Sequence, residues 1–530
     1  MVLIALCLLV CLQAISGLPV SRRFTVINNV RLKYEPYMYE RKEPLTPENH
    51  YRDVETYVSV INATPYPWTR AYSHQYQMLH WDWWPSRISP GETVEVPVER
   101  RSHQSMTDTA AEVRYHLEGT SSLMGFQVEY RQGKDIGVRL MGDLETMNNE
   151  KESVINIGFL ERPGGTGFLL AGREGNFISN NGPSAWMQAS LPDVGHLPLR
   201  HVCLPRSHHA GMWKATHGLG LGLDRQTLTQ SNNLWTQLTE GGIRVLDVRA
   251  HKRKEGFFEA HTAKLGIAWH GKYGAFLADM IATVNKFTQQ FPGELIIWDL
   301  HNDARSGPRH FAHLDAHETD ELYSLFKTLN NRISVPDDQD LSLWSLNDFI
   351  GNGKSAVLVR VPEGWLDKSP NFPGGSEGFV TTRNYPVYHH WSDKNKPLPM
   401  IKDQLRRLYE WKRSRDSVPL SMDWIVTQHG AEVYGGRDIM TYSRPAWRAL
   451  FYEFWAVIHD EMYPNWIALD DVHKSQQKAM VMAINHCLGA RKCGGLGGKV
   501  PSLEASGEGI NSTWIKSTGK WKGAACLGDP

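Results

Sequence analysis

The rhythm of apolar and polar positions changes near residue 190. Between about 51 and 185, short runs alternate apolar with polar residues and are punctuated by Gly or Pro. Examples are Thr56-Tyr-Val-Ser-Val-Ile61, Glu92-Thr-Val-Glu-Val-Pro-Val98, Ala111-Glu-Val-Arg-Tyr-His-Leu117, Gly125-Phe-Gln-Val-Glu-Tyr130 and Gly167-Phe-Leu-Leu-Ala171. A period of two with regular turn signals predicts an all-β sandwich within 18–185. From about 197, short apolar runs alternate with amphipathic stretches of helical length. Strands are predicted at 199–205, 243–249, 257–261, 294–300, 355–361, 385–389, 419–427 and 466–471. Helices are predicted near 227–241, 273–291, 317–331, 398–414, 444–461 and 472–486. Eight strands with mostly helical connections predict an α/β fold, a TIM-like β/α barrel over 186–486. The 250–256 connection is too short for a helix, so the barrel is expected to be distorted. Residues 487–530 are rich in Gly, Ser and Lys, with Cys at intervals, and read as an extended C-terminal tail.

Composition narrows the function classes. The chain has 530 residues, 41% of them hydrophobic, and equal numbers of basic and acidic residues at 57 each. That length predicts more than one domain, and that balance argues against a protein built to coat nucleic acid. Residues 1–17 are apolar and end in small residues, which predicts a signal peptide and a secreted protein. Of six Cys, Cys7 and Cys11 leave with the signal, so Cys203, Cys487, Cys493 and Cys526 predict two disulfides in one of three pairings. Asn62-Ala-Thr64 and Asn511-Ser-Thr513 are glycosylation sequons. The stretch Leu79-His-Trp-Asp-Trp-Trp-Pro85 reads either as a packed aromatic cluster or as a loop meeting a membrane or sugars. The run His217-Gly-Leu-Gly-Leu-Gly-Leu-Asp224 lacks the order of a phosphate loop and reads as a flexible loop.

The chemistry gathers at strand ends. In a β/α barrel the C-terminal ends of the strands form the active-site face. The first predicted strand delivers His208, and the second Asp247 and Arg249, which share a face at a spacing of two. The third delivers His261, the fourth Asp299 and His301, the fifth Arg360 and the last Asp470. Two imidazoles and a guanidinium suit phosphodiester cleavage. One His removes a proton from the nucleophile, the other protonates the leaving oxygen, and Arg249 meets the phosphate charge. In a closed barrel the last strand lies beside the first, so Asp470 is expected to hold His208. No residues suggest a metal cage, and no cofactor is implied.

These residues carry a resemblance. Trp186-Met187, Leu191-Pro-Asp193 and Leu204-Pro-Arg-Ser-His208 resemble the opening of the phosphatidylinositol-specific phospholipase C X-domain. Gly242-Ile-Arg-Val-Leu-Asp-Val-Arg249 is similar to that family's G-I-R-x-x-D-x-R. Phe257-Phe-Glu-Ala-His261 matches its second catalytic His, and Gly293-Glu-Leu-Ile-Ile-Trp-Asp-Leu300 its fourth strand. The resemblance covers roughly 186–485. It implies a metal-independent phosphoric diester hydrolase of the bacterial type, acting on a phospholipid or glycolipid headgroup at a membrane surface. It implies His208 as general base, His261 as general acid, Arg249 as phosphate ligand, Asp247 in support and Asp470 as partner of His208. Arg360 and Asp393, with Asp299 or His301, would contact the headgroup. Three positions depart from the pattern. Arg206 replaces a Gly, His209 replaces the Asp that follows the first His, and Asp299 or His301 stands where a Lys is usual.

Two other classes stay open at this stage. Arg206 and His209 allow a degenerate barrel that binds lipid or glycan without turnover. A magnesium-dependent phosphodiesterase on a similar barrel ranks lower, because Asp247-Val-Arg249 stands where its Glu-x-Asp pair belongs.

Overall fold

Strand order explains how distant segments meet. A computed structural model describes residues 56–100, 108–131, 135–158, 164–265, 267–307, 311–429 and 438–494. The expected signal peptide, most of the tail, Cys526 and the Asn511 sequon lie outside them. Eight parallel strands form one sheet: β1 (Leu204–Ser207), β2 (Val245–Val248), β3 (Leu295–Leu300), β4 (Ala356–Val361), β5 (Phe379–Thr381), β6 (Tyr388–His389), β7 (Leu420–Trp424) and β8 (Trp466–Leu469). Their order is β5-β4-β3-β2-β1-β8-β7-β6. This is the sequence of a β/α barrel left unzipped between β5 and β6. The strands are buried on both faces, as in Leu295-Ile-Ile-Trp-Asp-Leu300, because helices cover the outside. Helix Leu277–Gln290 buries Leu277, Met280, Ile281, Val284 and Phe287 on one stripe, the three-four spacing of an amphipathic helix. Helix Ala316–Phe326 starts at a capping box between Asp315 and Glu318, which satisfies two end groups.

The third predicted strand is not in the barrel. Residues Gly256–Leu265 pair antiparallel with Ala250–Arg253 on one side and Ala268–Phe276 on the other. They belong to a separate six-stranded sheet that also holds His217–Leu219, Arg305–Ser306 and Ala312–His313. The reason is the short connection. A few residues close an antiparallel hairpin, whereas a parallel neighbour needs a crossover of a dozen or more. The vacant place in the barrel count is filled by β5, a three-residue strand without a sequence signal.

Before the barrel, the chain forms a four-stranded and a six-stranded sheet. The four-stranded sheet pairs Thr56–Ala63 with Gly164–Arg173 in parallel and with Thr93–Pro97 antiparallel. Val58, Val60, Val94, Phe168 and Leu170 from it share a core with Trp68, Tyr115, Phe126, Val128 and Leu140 of the other. Trp81 and Trp84 are buried in that core, with rings 5.6 Å apart. The Trp81–Trp84 cluster is therefore packing, not a surface loop. The Asn62 sequon is also folded inward. Asn62 is buried and its amide donates to the Tyr66 and Ile88 carbonyls, so it presents no site for a glycan. The described residues belong to one compact unit, and Arg448 pairs with Glu95 across the join between the first sheets and the barrel helices. Cys487 and Cys493 form a disulfide, whereas Cys203 is free and buried. Among the described residues, one bridge therefore stands where two were expected. No described helix is long and apolar enough to cross a membrane.

Candidate active site

The ends of β1 and β8 bring the first pair together. The His208 amide donates to the Leu469 carbonyl at 3.1 Å, so the parallel ladder runs one step past the end of β1. The chain then turns sharply, with positive φ at His209 (44°) and Asp471 (48°). Such backbone at non-glycine positions is strained and clusters at functional sites. The turn leaves His208 Nδ1 2.6 Å from Asp470 Oδ1, and the Ser443 hydroxyl donates to Asp470 Oδ2 at 3.0 Å. Asp470 is thus aimed at one nitrogen of His208, leaving Nε2 for chemistry. Its neighbour Asp471 is taken by Ser231 and Arg444.

His261 reaches the same place from the hairpin sheet. Its ring centroid lies 6.2 Å from that of His208. Its Nδ1 lies 2.9 Å from the Thr227 carbonyl, an acceptor that fixes the proton on Nδ1 and leaves Nε2 available. Burial, Arg249 and His208 push its pKa down to about 4. His301 accepts the Asp303 amide on Nδ1 at 3.0 Å and is pushed down to about 3, chiefly by burial and then by Arg249. Both imidazoles are therefore neutral near pH 7.

Arg249 is the cation of the site. Its guanidinium makes no ion pair or hydrogen bond among the described residues, and its Nε is buried without a partner. The backbone of Arg249 is held by Glu259, and both carboxylate oxygens lie 3.1 Å from its amide nitrogen. Glu259 Oε1 also lies 2.8 Å from His209 Nδ1, and both residues are fully buried. His209 stacks on His261 at 4.3 Å. Burial raises the Glu259 carboxyl well above its ordinary value and lowers His209 well below its own. The His209 departure thus acquires a partner that spacing could have signalled. Glu259 and His261 are two apart on one strand and share a face.

Below the site lies a buried charge cluster. Arg206 contacts Asp247 and Asp299 at 3.1 Å each and Asp423 at 3.4 Å. Arg360 joins Asp299 at 2.5 Å and donates to the Tyr385 carbonyl. Arg206 therefore points into the barrel interior, where it and Asp423 form part of the cavity floor. Asp299 and Arg360 serve this cluster and do not line the cavity, so neither is placed to touch a headgroup. Asp247 belongs to both layers. It pairs with Arg206, accepts the His209 amide at 3.2 Å and lines the cavity. Arg206 and Arg249 hold its carboxyl well below the usual range, against the effect of burial.

These side chains open into a cavity of about 390 Å³, lined among others by His208, Asp247, Arg249, His261, His301 and Asp470. Asp393, at φ 47°, also lines it and lies 2.9 Å from His429 Nε2. The structure adds one residue that sequence reasoning missed. His389 on β6 lines the cavity with Nε2 2.7 Å from Asp423 Oδ2, and it ends the strand predicted at 385–389, so the strand-end rule could have found it. Among the described residues, no cluster of His, Cys, Asp and Glu has the geometry to hold a metal ion.

No family profile and no curated protein matches this chain. Among solved structures, a phosphatidylinositol-specific phospholipase C from Staphylococcus aureus matches with 14% identity and a TM-score of 0.39, over 56% of this chain and 97% of that one. A second structure of that enzyme matches with 13% identity and a TM-score of 0.37 over the same shares. The barrel resembles that of a phosphatidylinositol-specific phospholipase C. Identity and TM-score at this level assign no activity, and the chemistry of the barrel rests on the side chains above.

Proposed function

We propose that this protein is a secreted phosphoric diester hydrolase of the phospholipase C type, cleaving a phosphoinositide or related lipid headgroup by base and acid histidines without a metal. The observation that carries the reading is one constellation. A carboxylate-held His208 faces His261 across a cavity into which an unengaged Arg249 guanidinium opens. A phosphodiester anion bound by Arg249 lies between the two rings. His208 Nε2 takes the proton of the headgroup hydroxyl that attacks phosphorus, and Asp470 steadies the imidazolium formed. Arg249 holds the charge that builds on the phosphoryl oxygens. His261 protonates the departing diacylglycerol oxygen, giving a cyclic phosphate and an alcohol. His261 must therefore gain its proton as substrate binds. An anion on Arg249 cancels the positive charge that depresses its pKa, which favours that uptake.

The binding-only reading is not favoured, because Arg206 is engaged by Asp247, Asp299 and Asp423 in the cavity floor and His209 by Glu259. The Cys487–Cys493 disulfide supports an oxidising compartment. The test is hydrolysis of phosphatidylinositol vesicles with excess chelator, beside a His208→Ala control. Chelator-resistant release of a cyclic inositol phosphate that the variant lacks is expected. Turnover restored only by added magnesium, or equal turnover in the variant, would overturn the proposal.

A further inference from the structure

A second, larger cavity lies where the first sheets meet the barrel. It encloses about 760 Å³ between Asn156 and Gly158 of the first sheets, helix Leu234–Thr239, and the segment that runs from Val472 into helix Gln477–Ala483. Among the described residues it shares no lining side chain with the candidate active site. Its walls follow from the chain that links the two parts. After strand Asn176–Ser179 the chain turns through Asn180-Asn-Gly-Pro183, and Gly182 lies tight on the helix, where a Cβ would stand 2.6 Å from Met482 Sδ. Asn180 donates to Gln476 Oε1 at 2.8 Å, and Gln476 donates to the Ile157 carbonyl at 3.1 Å. Asn232 Nδ2 lies 2.8 Å from His473 Nδ1, and Lys474 pairs with Asp135 at 3.3 Å. The fold itself therefore sets these polar groups in place, which lowers the ordering cost of binding.

The lining selects the ligand. Most ligand cavities are lined mainly by apolar side chains. Here seven of the lining residues are Asn or Gln and three are Ser or Thr, so the ligand must be polar over most of its surface. A carboxamide offers a donor and an acceptor side by side without charge, the pattern that pairs with neighbouring hydroxyls of a sugar. Phe291 adds an apolar ring to the same wall, suited to the C–H face of a pyranose. Lys478 is buried, its Nζ donates to the Gly182 and Thr239 carbonyls at 2.6 and 3.0 Å, and it makes no ion pair among the described residues. An ammonium carries three N–H groups, so one is left for a ligand oxygen. An anion fits less well. Asp135 and Glu240 line the same cleft, and burial pushes Lys478 down to about 7, which weakens it as an anion clamp. An acyl chain fits worse, since it would strip water from the carboxamides and return no hydrogen bond.

We propose that this cleft between the first sheets and the barrel is a saccharide-binding site, taking a neutral oligosaccharide whose hydroxyls pair with the carboxamides and with Lys478. The site stands apart from the proposed hydrolysis and does not depend on it. Mannotriose, chitotriose and maltotriose are each titrated into the full chain and followed by saturation-transfer NMR and calorimetry. Two variants accompany wild type: Thr236→Trp, which fills the cleft, and Lys478→Met, which removes the ammonium donor. At least one of the three sugars is expected to bind wild type saturably. Binding should weaken about tenfold or more in Thr236→Trp, through steric exclusion, and about fivefold or more in Lys478→Met, through the lost charged donor. Thr236 is half-buried on the cleft wall, so Thr236→Trp should keep the wild-type melting temperature, and it decides the question alone if Lys478→Met does not fold. Dimethyl phosphate, a probe for Arg249 in the other cavity, should leave the bound sugar in place. Wild type that binds none of the three sugars would overturn the proposal, as would a Thr236→Trp variant that binds as wild type does. A sugar that survives Thr236→Trp and is displaced by dimethyl phosphate would also overturn it, by assigning the saccharide to the candidate active site.

Discussion

Glu259 shares the backbone amide of Arg249 between its two carboxylate oxygens, each 3.1 Å away. The same carboxyl meets His209 beneath the ring of His261, so one buried group positions the arginine and supports one histidine. Glu259→Gln can donate to His209 Nδ1 and still accept the Arg249 amide. Its stability and turnover are expected to stay close to wild type. Glu259→Ala leaves two buried polar groups without a partner and is expected to lose about 2–5 kcal/mol. Urea unfolding of the two variants separates these cases. Equal losses would mean that the pair needs its charge rather than its hydrogen bonds.

Removing either imidazole tests the catalytic roles. His208→Ala and His261→Ala are each expected to lower kcat by about 10² or more. Asp470→Asn keeps the contact but can impose the wrong tautomer, with an expected loss of roughly 10² to 10⁴ in kcat and little change in KM. Steady-state kinetics on a soluble phosphodiester and on lipid vesicles check all three.

Binding an anion should draw in a proton. Burial and then Arg249 hold His261 down to about 4, and a phosphodiester on Arg249 is expected to raise it. A raised pKa in the complex means proton uptake on binding, hence tighter binding as pH falls from about 7. Calorimetry of dimethyl phosphate binding in two buffers of different ionisation heat measures the uptake. His261→Ala should abolish it, and uptake that persists there would move the proton to another group.

Acid should loosen the fold in a defined window. His251 and His261 are held down to about 4 and His301 to about 3, in each case chiefly by burial. An unfolded chain takes up these protons near 6.5. Stability from these groups is therefore complete above about pH 6.5 and is lost as pH falls toward 4, at up to ~1.4 kcal/mol per pH unit for each histidine. Melting temperatures across that window should fall steeply, and His251→Gln should flatten the slope.

The cluster under the site should tolerate little. Arg206 and Arg360 face three carboxylates, Asp247, Asp299 and Asp423. Arg206→Ala takes the contacting guanidinium from Asp247 and Asp423 and is expected to destabilise by about 3–5 kcal/mol, read by urea unfolding. A loss under about 1 kcal/mol would mean that water enters the barrel floor.

The barrel and half of the site were legible because their signals are local. Buried strands read as apolar runs, and His208, Asp247, Arg249 and Asp470 sit at strand ends or within short motifs. His261 was legible as a residue but not as a position, since an apolar run does not reveal whether its neighbour is parallel or antiparallel. The short 250–256 turn held that answer. The Arg206 cluster was hidden because its members are joined across the sheet, far apart in sequence. Asp299 and Arg360 face the barrel interior as expected but are engaged with each other and with Arg206, a cross-strand pairing that position at a strand end does not reveal. Trp81 and Trp84 follow the commoner fate of aromatic residues in a β-rich segment, which is burial.

The unzipped seam between Thr381 and Tyr388 and the hairpin at 256–276 divide the labour of the fold. His208 and Asp470 are fixed by a hydrogen-bonded ladder and can shift only if β1 slides on β8. His261 rides on a different sheet, and its distance from His208 is set by how that sheet leans on the barrel. The gap between the two imidazoles is thus a hinge-like quantity, adjustable by side-chain volume at the lean rather than by the register of the barrel. Substitutions far from either histidine, at the packing between hairpin and barrel, are the natural way for such a chain to retune one proton transfer without disturbing the other.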